Sequence, residues 1–355
     1  MSDTMSDLTE TVENTLEKID FGDLSKASVF GGESFIDTIG QILSGAFFEK
    51  YPDILSGIWG LVGGVVASVL PLVVLITAIT ILCGFVDTMK TDNRGISNVI
   101  YFVSYSAVVL IVVGSVVDLV SMVGGTLNML KTQIDIIFPI ILTLMVASGA
   151  KVSATVYQPA VVVLSSGIMQ IFSYVVMPLF IISFVFSVVS NLSPNAKLDR
   201  FVGFFNSCFK WVVGVSFTVF FAFLTVQGVT AGSFDSVTIR ATKMTVSGFV
   251  PIVGGYISQG FDLIMASSVL IKNAVGLSGI FLLVGIILSP IVKVVIFSLA
   301  IKLAAAITQP VADSRISNFL NSINKCFSML TACLIGAGFM YFVTLSLFMM
   351  TGNYI

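Results

Sequence analysis

The sequence predicts an all-α polytopic membrane protein with about eight to ten membrane helices, preceded by short amphipathic helices. Three observations carry that expectation. Hydrophobic residues make up 56% of the 355-residue chain and charged residues 10%, with a mean hydropathy of +1.06; a soluble domain carries about 25% charged residues. The apolar stretches are continuous: no charge occurs from Ile54 to Val86, whereas one crossing needs ~20 residues and a membrane barrel shows shorter alternating segments. Prolines and small residues also recur inside these stretches at fixed offsets. Pro139-Ile140 returns as Pro251-Ile252, Ser166-Gly167-Ile168 as Ser278-Gly279-Ile280, and Pro178 as Pro290, each 112 positions later. Phe201, Asn206, Cys208 and Phe209 return as Phe319, Asn324, Cys326 and Phe327, 118 positions later, and a six-residue insertion near Thr308–Asp313 reconciles the offsets. The pattern predicts an internal duplication, 134–234 and 246–350.

Residues 1–53 form an acidic leader with eleven acids and three bases, while the remainder carries fourteen bases and eight acids. Leu8, Val12, Leu16 and Ile19 share one helical face, as do Ile36, Ile39, Leu43 and Phe47, with Gly31-Gly32 between them. These two amphipathic helices are expected on the membrane surface or on a partner. The segment lacks the basic start and apolar core of a signal peptide.

Residues 54–133 read as two membrane helices and a connection. The first, Ile54–Val86, is longer than one crossing, so it must tilt, kink at Pro71 or begin in the interface. Gly60, Gly64 and Ser68 repeat at four-residue spacing, which allows close approach of another helix. Ile96–Val117 is the second crossing, and Asp118–Gln133 an amphipathic connection. In the first predicted unit Ile134–Ala150 contains Pro139, Val152–Val176 and Pro178–Val189 meet at Met177-Pro178, and Trp211–Val229 crosses after a polar loop. In the second, Val246–Met265 contains Pro251, Val269–Leu288 and Pro290–Thr308 meet at Ser289-Pro290, and Phe327–Met350 crosses last. With the N-terminus outside, nine loop lysines and arginines fall inside and four outside, which places the N-terminus away from the cytoplasm.

Catalytic constellations are missing from the sequence. No histidine occurs, so neither a Ser-His or Cys-His pair nor HExxH can form. The four cysteines have no metal-ligand spacing, no phosphate-binding GxxxxGK[ST] run exists, and no basic cluster interleaved with aromatics points to nucleic acid. The reading is a non-enzyme with no catalytic, metal or cofactor residues. Ionisable residues at membrane depth are the candidates instead, because an unpaired charge there costs at least ~2.5–3.5 kcal/mol. Lys302 leads them, expected to face the protein interior or a polar cavity and not lipid; Asp262, Lys272, Asn273 and Lys293 follow as a polar path or as assembly contacts. Pro139, Pro178, Pro251 and Pro290 mark helix breaks whose freed carbonyls could line such a path.

The segments GFVPIVGGYISQGFD (248–262), SSVLIKNAVGLSGI (267–280), LSPIVKVVIFSLAIKLAAAITQPVADSRI (288–316) and FLNSINKCFSML resemble the stage III sporulation protein AE family of endospore-forming bacteria. The resemblance covers essentially all of residues 50–355. It implies a multi-pass component of the channel joining mother cell and forespore, in the mother-cell membrane around the forespore. The partners it implies are a secretion-type ATPase and ring-forming proteins, besides the lipid bilayer and a homo-oligomer. It also implies a cleavable signal sequence, so the chain is expected to start after the cleavage point. Three readings stay open: a non-enzymatic subunit of the sporulation channel, a stand-alone secondary transporter built from the duplicated units, and a non-conducting scaffold.

Overall fold

The computed structural model describes residues 34–44, 46–47, 51–88, 94–192, 198–249, 254–310 and 314–351. Among them 97% of residues are helical and none lies in a strand, as the sequence predicts. Six helices are long and apolar enough to cross a membrane. That is fewer than eight to ten, because segments expected to be separate are fused. Two of the six apolar stretches, Phe102–Ala147 and Leu263–Thr308, are 46 residues long, enough for two crossings of ~20 each.

Helix α1 (Phe35–Ser44) is the second of the two expected amphipathic helices; the first lies outside the described residues. The Asp37 amide donates to Ser34 Oγ at 3.2 Å, which satisfies one orphan donor of the first turn. Phe35, Thr38 and Ile39 are buried, and Phe47 packs on Phe281 with ring centroids 4.3 Å apart. The partner of this helix is therefore the chain itself. Ile36 falls off the buried face and is 45% exposed.

Helix α2 (Tyr51–Thr88) runs unbroken through Pro71. It packs through Val65, Val73, Ile76 and Thr80, all buried. Gly60, Gly64 and Ser68 lie on another face and are exposed, with open space where a Cβ would stand at either glycine. The small-residue stripe thus meets no other helix among the described residues.

Helix α3 (Arg94–Ala147) fuses the second crossing, the expected connection and the Pro139 helix. Nothing between Asp118 and Gln133 stops a helix: Leu119, Val123, Leu127 and Leu130 are buried along one face, while Asp118 lies exposed and Lys131 half-buried. Lys131 pairs with Asp135 at 3.0 Å one turn on. Pro139 removes one backbone bond without ending the helix, and Thr143 Oγ1 donates to its carbonyl at 2.9 Å. The helix ends at Gly149, φ 87°, where the Ala150 amide reaches back to Met145 O at 2.8 Å and that of Gly149 to Val146 O at 3.1 Å. This is a Schellman cap, which favours glycine in the left-handed position.

The next arm comprises α4 (Lys151–Val162), α5 (Met169–Ile171) and α6 (Met177–Leu192), joined by π-helical turns at Val163–Ile168 and Phe172–Val176. The expected joint at Met177-Pro178 is therefore not a break. The second π turn widens the helix just ahead of Pro178, whose ring would crowd the carbonyl four residues back. Helix α7 (Asp199–Phe249) returns, followed by α8 (Gly254–Thr308) and α9 (Ser314–Met350). Pro290 lies buried inside α8, so the expected joint at Ser289-Pro290 is also continuous helix.

Helix α9 is the centre of the fold. Ile323, Leu330, Leu334, Ala337, Tyr341 and Leu345 are fully buried. It runs antiparallel to α8: a Cβ at Gly276 would lie 2.5 Å from Met349 Cγ, and one at Gly279 3.2 Å from Leu345 Cδ1. It runs parallel to α3, with Tyr105 against Phe319 at 5.1 Å and Phe138 against Phe348 at 5.2 Å. The Tyr105 hydroxyl ties α3 to α6 by donating to Val188 O at 2.6 Å. In lipid such contacts stabilise by close packing, because the hydrocarbon outside is as apolar as the interface.

Candidate functional site

Of the candidate charges, the structure buries Lys272. It is 0% exposed on α8, beside buried Ile271, Ala274 and Val275. Its Nζ donates to the backbone carbonyl of Thr351, just beyond α9. Carbonyls at a helix C-terminus lack intrahelical partners and carry the negative end of the helix dipole. A buried ammonium is thereby matched to a buried acceptor, and the pair clamps the open end of the α8–α9 hairpin.

Beyond that clamp, further polar groups are buried on α3, α8 and α9, although Asn273 and Ser278, five residues apart, lie on different faces of α8. Asn273 Oδ1 is buried without a hydrogen bond among the described residues, and so is the Ser278 hydroxyl, six residues or ~9 Å along the helix from Lys272. Ser278 adjoins Gly279, where α8 approaches Ile137 of α3 and Leu345 of α9. One turn back along those two parallel helices stand Gln133 and Tyr341, 2% and 0% exposed. Both side-chain atoms of the Gln133 amide, and the Tyr341 hydroxyl, are likewise buried without a hydrogen bond among the described residues. The Tyr341 ring packs edge-on against Phe138 at 5.6 Å. Each unpaired buried polar group costs on the order of 1–3 kcal/mol. An otherwise apolar seam that holds several can accept a polar species or a second arrangement of its helices.

The other candidates fall elsewhere. Lys302 is exposed, on the face of α8 opposite buried Ile301, Ala304 and Ala305, so the interior placement expected for it is wrong. A helix this long presents two faces, and nine-residue spacing from Lys293 says nothing of which is inward. Lys293 is exposed as well. Asp262 belongs to α8, but its side chain lies outside the described residues, as does Pro251 altogether. Pro139 and Pro178 sit on exposed helix faces. Gln133 and Tyr341 escaped the sequence reading. Gln133 follows Leu130 by three residues and precedes Ile137 by four, a polar residue on an apolar stripe, and that spacing was the available signal.

The match to known proteins covers this entire framework: residues 34–352 fit the family described as stage III sporulation protein AE. The chain belongs to that family. Stage III sporulation protein AE of Bacillus subtilis (strain 168) is 26% identical over 277 residues, covering 78% of this chain and 69% of the relative. No solved structure matches the chain. The part that matches the sporulation AE family runs from the first turn of α1 to just past Thr351, and so includes both ends of the Lys272 clamp.

Proposed function

We propose that this protein is a non-enzymatic, multi-pass membrane subunit of the complex that joins mother cell and forespore, required for spore development. The family match over residues 34–352 carries the reading, and the six apolar helices supply the membrane residence it needs. Its partners are the other stage III channel proteins, the secretion-type ATPase and the ring-forming proteins. The N-terminus faces away from the cytoplasm, in the mother-cell membrane around the forespore.

The same reading includes the internal duplication, with the α4–α6 arm and α7 as counterparts of α8 and α9. A similar contact supports it, with asparagines related by the 118-residue offset and serines 115 residues apart. Ser183 Oγ donates to Asn206 Oδ1 at 2.7 Å between α6 and α7, and Ser298 Oγ donates to Asn324 Oδ1 at 2.6 Å between α8 and α9. Asn206 and Asn324 are the pair related by the 118-residue offset.

Deletion of the gene in the organism that encodes it should abolish spore yield, and a tagged copy restored there should co-purify with the other channel proteins. Normal spore yield in the deletion strain would defeat the reading. The polar seam lies within one chain, which favours a second reading, solute passage through the protein alone. Flux across liposomes containing only this protein, lost in Gln133→Leu, would establish that alternative.

A further inference from the structure

A polar cavity of about 440 Å³ opens where the two helical hairpins adjoin, away from the Lys272 seam. Asn191, Asn206, Asn318, Asn321, Ser322 and Lys325 line it. Its place along the helices matters first. Asn191 is the last residue of one apolar stretch, Asn206 lies early in the next, which begins at Arg200, and Asn318–Lys325 occupy the start of the last, which begins at Ile316. One apolar stretch therefore ends, and two begin, near this cavity.

The chemistry of the lining suits an anion. Asn206 Oδ1 is occupied by the Ser183 hydroxyl, which leaves its amide hydrogens to donate elsewhere. Lys325 brings a full positive charge, Ser322 a hydroxyl and Asn318 and Asn321 further amides. Beside the cavity α7 carries an aromatic face: Phe186 stacks on Phe201 and Phe205 at 5.7 and 5.5 Å, and Phe201 and Phe204 are 52% and 60% exposed. A polar, cationic pocket flanked by exposed aromatic surface matches an amphiphile with an anionic head. Basic pockets between membrane helices recognise phosphorylated lipid headgroups on the same grounds.

We propose that this asparagine-lined cavity is a binding site for the phosphate of an anionic phospholipid, whose acyl chains lie along the Phe201–Phe204 face. Gly203 lines the cavity and has no atom within 4 Å of where its Cβ would be, so a side chain placed there starts in open space and narrows the site.

The full chain in detergent, titrated with short-chain phosphatidylglycerol and followed by native mass spectrometry and thermal unfolding, provides the test. Wild type should retain bound phosphatidylglycerol and melt at a higher temperature, with no response to phosphatidylcholine. Lys325→Gln should weaken the response roughly tenfold, the size of one lost charge-assisted contact, and Gly203→Leu should weaken it by occupying the site, while Lys325→Arg keeps it. Equal binding by wild type and both weakening variants, with their unliganded melting unchanged, would overturn the site. Equal protection by inorganic phosphate alone would overturn the lipid as its occupant.

Discussion

Replacing Lys272 by methionine keeps the length and apolar stem of the side chain and removes the donor that holds Thr351 O. Two effects oppose each other. A hydrogen bond made by a charged group contributes about 1.5–3 kcal/mol, whereas withdrawing an ammonium into a site that is 0% exposed carries a desolvation cost that methionine does not incur. Global stability should consequently change little. The local effect is not offset, because the carbonyl loses its partner whatever the lysine's own cost. The final turn of α9, Leu347–Thr351, should open more readily, by the factor of roughly 10–150 that 1.5–3 kcal/mol represents. Amide hydrogen exchange of that turn, in protein reconstituted into nanodiscs, reads this directly, with the mid-helix amides around Leu334 as an internal standard. Lys302→Met provides the contrast: an exposed side chain whose loss should stay within about 0.5 kcal/mol and leave both the turn and spore yield unchanged. Unchanged protection of 347–351 in Lys272→Met, or equal acceleration in Lys302→Met, would refute the clamp.

Tyr341→Phe removes a buried hydroxyl without a hydrogen bond among the described residues, so melting should hold or rise slightly; a drop in spore yield at undiminished protein level would then assign the seam a role beyond packing. Gly338→Ala sets a methyl against Ile287 Cδ1 and should destabilise by about 1–3 kcal/mol, while Gly60→Ala, facing open space, should gain up to ~1 kcal/mol of helix propensity; thermal unfolding of the two variants should move in opposite directions. Asn318→Cys, in a chain whose own cysteines are replaced, should resist an impermeant thiol reagent applied outside the cell, and labelling there would reverse the proposed sidedness.

The all-helical membrane class was legible because composition and run length are bulk properties that no local contact can override. Element boundaries were less so, and the reason is the same at each miss. Pro178 and Pro290 were read as joints by the rule for helices in water, where a lost backbone bond and a ring clash end the helix. Within a packed helical assembly the cost of stopping is greater, since every freed backbone group needs a partner. A π turn precedes Pro178. The candidate site was half legible. Lys272 stood out as a charge in an apolar run, but its burial depended on the far end of the chain, since its partner, Thr351, lies 79 residues away. Lys302 carried the same local signal and ended on the exposed face. Only the assignment of helix faces to neighbours separates the two, and a single sequence does not contain it.

The proposed duplication makes sense of an asymmetry between the hairpins. On that reading α7 and α9 are counterparts, yet Phe201 is 52% exposed and its counterpart Phe319 is 0% exposed, and Cys208 is half-buried where Cys326 is buried. The same residue types therefore occupy an edge in one unit and the core in the other. Both units keep the serine–asparagine bond between their two arms, so what is shared is the pairing within a hairpin and what differs is its surroundings. Helix α9 became central because α3 and the α4–α6 arm close around it, while Trp211 of α7, 70% exposed, remains at the periphery. A duplicated hairpin can diverge in this way without losing its fold, since one polar bond between the arms is kept and the outward face is left free to change. The asparagine-lined cavity falls at the junction of the two hairpins, where Asn206, a repeated position, accepts from Ser183 and Lys325, which follows Asn324, adds the charge. Its lining is thus drawn from both units, and neither hairpin alone would form it.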